Sequence, residues 1–246
     1  MKQERYHLLD GLRGVTLISM ILYHGMFDLV ELYGVQVHWF WDTPGYVWQQ
    51  SICWTFILLS GFCWQLGSTQ MKRGLTIFGC GAVITAVTCL FMPSERILFG
   101  ILTFTGSAML LMIPLSGILS KTPAGAGCVI SGLLFFVTRN VNQGYFGFAS
   151  IRLGNVPRDI YQGYFMTFLG FPQPGFFSSD YFSLVPWVFL YLCGYFLYGV
   201  LMSRKPVKDF LKKRAGVLEW IGKHSLPLYM IHQPILMAVF EFLFRH

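Results

Sequence analysis

Four residues in one apolar stretch carry side chains that can move a proton or hold an anion. They are Arg13, His24, Asp28 and Glu31, within LDGLRGVTLISMILYHGMFDLVEL at 9–32. At about 100° per residue they share a helical stripe roughly 60° wide. A charge facing hydrocarbon costs at least ~2.5 kcal/mol, so such residues turn inward and mark a functional site by default. Imidazole titrates near neutrality, which suits His24 to general base work. Asp28, one turn beyond, is placed to fix the imidazole tautomer and to stabilise the imidazolium. A plainer reading stands beside this one. Arg13 and Glu31 would mark the two ends of a span, with His24 and Asp28 a polar pair gluing helices together.

A second histidine matches the first. In KHSLPLYMIHQPIL, residues Ser225, Tyr229 and His232 follow i, i+4, i+7 and share a face. His232 lies nine residues past Lys223, roughly 13 Å of helix. His24 lies roughly 16 Å past Arg13 by the same rise, so the two rings come to similar depth. Pro227, five residues before His232, is placed to kink that helix. Matched histidines would also suit the axial positions of a haem. A stripe of His24, Asp28 and Glu31 would equally suit the relay of a proton-coupled transporter. No metal site is expected. Cys53, Cys63, Cys80, Cys89, Cys128 and Cys193 all lie in apolar segments, without CxxC or zinc spacing.

The elements that must position these residues are membrane helices. The chain is 54% hydrophobic and 12% charged, against about 25% charged in soluble domains. Segments near 12–33, 46–67, 74–92, 97–119, 123–138, 181–202 and 222–244 can each span, the fifth being short for a bilayer. The expected fold is all-α, a polytopic bundle of about seven transmembrane helices forming one domain over 1–246. The formal charge of +7 is no nucleic-acid patch, because the basic residues cluster between apolar segments. Lys2, Arg5, Arg13, Lys72, Arg73, Lys121 and the basic residues from Arg204 to Lys223 fall on one side. Arg96, Arg139, Arg152, Arg158 and Arg245 fall on the other. The positive-inside rule then puts the N-terminus inside and the C-terminus outside. The first apolar run outlasts a signal-peptide core and no cleavage site follows closely, so it reads as a retained helix.

The connecting segments carry secondary signals. The loop at 34–45 holds His38, Trp39, Trp41 and Asp42, an interfacial aromatic belt. Ser60–Gly61 is a small pair that lets another backbone, or a ligand, come close. The loop at 139–180 is long and contains IYQGYFMTFLGF, too short to span. It is expected to lie in the interface or re-enter the bundle, covering an outward-facing site. The basic segment at 203–221, with Phe210, Leu211, Val217 and Trp220 interleaved, reads as a topology determinant and an amphipathic helix on anionic lipid, with a direct grip on an anionic ligand as the alternative.

Arg13 and His24, as Arg-x10-His in the first span, resemble the hallmark of the transmembrane acyltransferase superfamily. More finely, LDGLRGVTLISMILYHGMFDL resembles the opening of the heparan-α-glucosaminide N-acetyltransferase catalytic-domain family, in its bacterial members. FGILTFTGSAML at 99–110, SSDYFSLVPWVFLYLCGYFLYG at 178–199 and IGKHSLPLYMIHQPI at 221–235 resemble its later blocks, in order along nearly the whole chain. The chain departs from many relatives at Thr103, where they carry His, and at Ser183, where they carry Pro. In the lysosomal relative the catalytic histidine falls nearer His38.

The resemblance implies acyl transfer, most simply of acetyl, from cytosolic acyl-coenzyme A to a hydroxyl or amine acceptor such as a glycan. It implies a bacterial inner-membrane location and leaves a homodimer open. On that reading Arg13, Lys72 and Arg73 grip the donor's phosphates, with Ser60 and Gly61 beside its arm. His24 is the base and Asp28 its orienter. Tyr229, His232 and Gln233 are candidate oxyanion donors. Asp180, Tyr181 and Trp187 stand where an acceptor would arrive.

Overall fold

The computed structural model describes residues 4–244. Lys2 and Arg245, used above for sidedness, lie outside them. The helices run in order as α1 (His7–Glu31), α2 (His38–Trp41), α3 (Thr43–Trp64), α4 (Gln70–Phe91), α5 (Ile101–Leu119) and α6 (Ala124–Thr138). A hairpin follows, β1 (Tyr145–Phe148) with β2 (Ile151–Asn155). Then come α7 (Gly163–Leu169), α8 (Leu184–Met202), α9 (Lys205–Leu211), α10 (Val217–Lys223) and α11 (Ser225–Phe244).

All seven expected segments are helical. Among the described residues, six helices are long and apolar enough to cross a membrane: α1, α4, α5, α6 with its extension to Gln143, α8 and α11. The protein is thus an integral-membrane, all-α chain. The seventh, α3, has 22 residues and no formal charge. Gln49 and Gln50 near its start lower its mean hydropathy, which is why it stands apart from the six.

The chain divides into two compact units, Met1–Leu59 with Met202–His246, and Ser60–Leu201. In the first, α10 lies against α1 with almost no side chain between. A Cβ on Gly14 would stand 2.1 Å from the Leu218 carbonyl oxygen, and one on Gly222 1.8 Å from that of Asp10. Small residues therefore set this contact, as they do between membrane helices generally. Leu17, Met20 and Ile52 form the core beside it, packed on by Trp48, Phe56, Ile221 and Leu228. The Trp48 indole N–H donates to Ser19 Oγ at 2.9 Å and ties α3 to α1.

The expected kink at Pro227 is corrected. The helix breaks at His224 (φ −102°, ψ 21°), between α10 and α11. Pro227 falls in the first turn of α11, where its missing N–H costs nothing. The proline inside α11 is Pro234. The basic segment folds as α9 and α10 with Phe210, Val217 and Trp220 exposed.

In the second unit α4 and α5 pack through Gly81 and Gly106. Added Cβ atoms there would meet the Thr103 and Phe78 backbone nitrogens at 2.7 and 2.5 Å. Thr103 is buried in this contact. The long loop is ordered rather than open. Its apolar piece forms the seven-residue α7, with Thr167 buried and Tyr164 and Phe165 exposed. Ser183 is wholly buried, accepts a bond from Asn142 Nδ2 at 3.0 Å and donates to the Val185 carbonyl at 2.6 Å.

Candidate active site

The first unit brings five of the expected residues together, from α1 and α11. His24 and His232 face each other with ring centroids 5.0 Å apart and planes inclined by 56°. Tyr229 packs on His232 with centroids 5.3 Å apart. One turn beyond His24, Asp28 is 1% exposed. Both its carboxylate oxygens accept from Gln233 Nε2, at 2.8 and 2.9 Å. Each helix thus lends its neighbour a polar group at two successive levels. The stripe read from α1 alone meets a matching stripe on α11.

His232 is 8% exposed. Its Nδ1 bonds to the Tyr229 carbonyl in the preceding turn of α11. Its Nε2 is buried with no hydrogen-bond partner among the described residues, and so is Gln233 Oε1. Two bare acceptors on adjacent residues suit a site that receives hydrogen-bond donors from a ligand or from neighbouring side chains. With metal–nitrogen bonds of roughly 2 Å on opposite sides of an iron, two imidazole centroids would stand roughly 6 Å apart. The observed spacing is too short for axial haem ligands.

Other expected members lie elsewhere. Glu31 is the last residue of α1 and is exposed, so the buried stripe ends at Asp28. That removes one carboxylate from the transporter's relay. Arg13 donates to Asp10 Oδ1 at 3.0 Å, and its side chain stays partly exposed. His38 opens α2 and is exposed, while Phe40 in the same turn is buried against Tyr23 at 5.1 Å.

The remaining candidates belong to the second unit, and several are engaged in holding it together. Gly61 packs on the backbone of α8, where a Cβ would stand 2.0 Å from the Tyr191 carbonyl oxygen. Of the two uses open to the small pair, close approach of a backbone is the one observed. Ser60 lies near the Tyr191 hydroxyl. Asp180 Oδ2 accepts the Ile101 N–H at 3.1 Å and so caps α5. Burial pushes its carboxyl up to about 6, with the Ile101 N–H pulling the other way. The Tyr181 hydroxyl donates to the Thr167 carbonyl. Trp187 is 5% exposed in a cluster with Phe135 and Phe182, and the Arg139 guanidinium lies 4.7 Å above its ring. Lys72 is exposed on the rim of an open recess of about 440 Å³ that Ser68, Thr69 and Ser116 also line. The Arg73 guanidinium lies over Gly67.

One constellation escaped the sequence. On α10, Glu219 is 3% exposed, and its Oε1 collects His7 Nδ1 at 2.7 Å, Arg214 Nη1 at 3.1 Å and the Lys223 ammonium. Lys223, then His7, hold its carboxyl down to about 2 against the cost of burial. The only local signal was the Glu219–Lys223 i, i+4 pair, which is common on exposed helices. His7 is 212 positions away.

The sequence profile of the family described as heparan-alpha-glucosaminide N-acetyltransferase, catalytic, matches residues 5–234. The chain belongs to that family. The match runs through both compact units and takes in every residue of the α1–α11 site. No curated protein and no solved structure matches the chain. Membership in the heparan-α-glucosaminide N-acetyltransferase catalytic family implies a membrane acetyltransferase, and the family's donor is acetyl-coenzyme A.

Proposed function

We propose that the protein transfers an acetyl group from cytosolic acetyl-coenzyme A to a hydroxyl or amine of a glycan acceptor, with His24 as the base. The observation that carries this is the facing of His24 and His232 inside a pair of apolar helices, in a chain of an acetyltransferase family. His24 takes the acceptor's proton as the acceptor attacks the thioester carbonyl. The proton then leaves with the coenzyme thiol. Asp28 and Gln233 clamp α1 to α11, which keeps the two rings at one level. Tyr229 stands beside them as a donor for the tetrahedral oxyanion.

Arg13 is proposed to meet the donor's phosphates, as a cation at the cytoplasmic membrane face. Gly61, Asp180, Tyr181 and Trp187 have structural work of their own and are left out of this reading. The charge distribution supports an inside N-terminus and an outside C-terminus in a bacterial inner membrane. Transfer of label from acetyl-coenzyme A into membrane glycan by the purified, reconstituted protein tests the function. Failure to bind coenzyme A, or binding from the outer face only, would refute it. A C-terminal reporter should be active only outside. Activity in the cytoplasm would mean an even number of spans.

A further inference from the structure

We propose that His232 is the positioning residue of His24, the role that sequence spacing offered to Asp28. The inference rests on His24 being the base. A neutral imidazole that accepts a proton at one nitrogen must carry hydrogen on the other. Inside a membrane helix pair that N–H wants an acceptor, and the acceptor it finds fixes both tautomer and ring angle.

His232 is built to be that acceptor. Its Nδ1 faces the Tyr229 carbonyl, and a carbonyl can only accept, so Nδ1 carries the hydrogen. Its Nε2 is then a bare lone pair, buried and without a partner among the described residues. The ring beside it is that of His24, with centroids 5.0 Å apart. Two imidazoles joined nitrogen to nitrogen through one hydrogen have centroids roughly 5 Å apart. A rotation of the His24 ring is therefore enough to make the bond as substrate binds, the kind of tightening that free active sites undergo.

The neighbouring pair serves this arrangement. Both oxygens of Asp28 accept from Gln233, the residue next to His232. Asp28 thereby sets the height of α11 against α1, and with it the height of the acceptor nitrogen. The chain of dependence runs from the Tyr229 carbonyl to His232, and from His232 to His24.

The step balances without further reactants. The acceptor's heteroatom bonds to the acyl carbon as its proton passes to His24. The carbon–sulfur bond breaks, and the thiolate takes that proton to leave as free coenzyme A thiol. His232 never holds the transferred proton. It stabilises the His24 imidazolium by accepting its second N–H.

Two substitutions and one spectrum test this. His232→Leu should lower kcat by about 10- to 100-fold with the KM for acetyl-coenzyme A little changed. His232→Gln offers an amide oxygen at similar reach and should recover most of that loss. Equal impairment of the two variants, or a Leu variant with wild-type kcat, would overturn the proposal. A role in packing alone would not separate Gln from Leu. Independently of activity, 15N spectra of histidine-labelled protein should show His232 as the Nδ1–H tautomer, assigned by its loss in the Leu variant. An Nε2–H tautomer there would sink the positioning role even if acetyl transfer is confirmed. A wild-type protein that transfers no acetyl group would sink the reading of His24 instead.

Discussion

Asp28 and Glu219 are both buried carboxylates of the first unit, and they are held in opposite ways. Glu219, on a short helix outside the spans, gathers one ring and two cations on a single oxygen. Asp28, inside α1, takes two bonds from the neutral amide of Gln233. The difference follows from where each sits along the helices. Basic side chains are plentiful between the spans and costly within them, so a carboxylate at the end of a span can collect ion pairs. Within a span the affordable partner is a neutral donor on the next helix, a bond typically worth ~1 kcal/mol. The Glu219 cluster closes the contact between α1 and α10. The Asp28 pair closes that between α1 and α11, and there the bare histidine nitrogen is left.

If the second contact is the catalytic one, the largest effect belongs to it. His24→Ala should cut turnover by about 10²–10⁴-fold, with coenzyme A binding near normal by titration in detergent. His38→Ala is the contrast and should keep substantial activity. A dead His38 variant beside an active His24 variant would move the site to the loop at 34–45.

Asp28→Asn tests the clamp. One acceptor oxygen remains for Gln233, so turnover should fall by about tenfold, less than for His24→Ala. Asp28→Leu, which keeps no acceptor, should also lower the thermal midpoint. Equal turnover in Asn and Leu variants would show that the bonds to Gln233 do not position the site.

For Glu219 the expected readout is stability. Its carboxyl is held at about 2, below the ordinary 4.5, so it favours the folded state when ionised. That contribution is fully present above about 4.5 and is lost as pH falls from there toward about 2. Glu219→Gln should lower the midpoint at neutral pH, and the gap from wild type should close on acidification. A gap unchanged down to pH 3 would show that the ion cluster adds no net stability.

Arg13→Ala should have the smallest effect, a weakening of coenzyme A binding of a few-fold without loss of folding. The guanidinium already shares its charge with Asp10. Unchanged affinity in a well-folded variant would remove Arg13 from the donor face.

Much of this protein is legible in its order of residues. Apolar runs long enough to span, interrupted by basic clusters, are dictated by hydrocarbon thickness and the cost of charge, and both are properties of short windows. His24, Asp28 and His232 were readable as well, because an ionisable residue inside such a run stands out and helical rise alone gives its depth. What no window contains is which helix meets which. Only the folded chain sets Gln233 on Asp28, His7 on Glu219 across 212 positions, and the His24 ring beside a bare nitrogen of His232. The same contacts gave Asp180 to the start of α5 and filled the space beside Gly61 with α8. Periodicity shows that a polar face must turn inward. The partner it finds there depends on backbone approach, which Gly14 and Gly222 permit but do not direct.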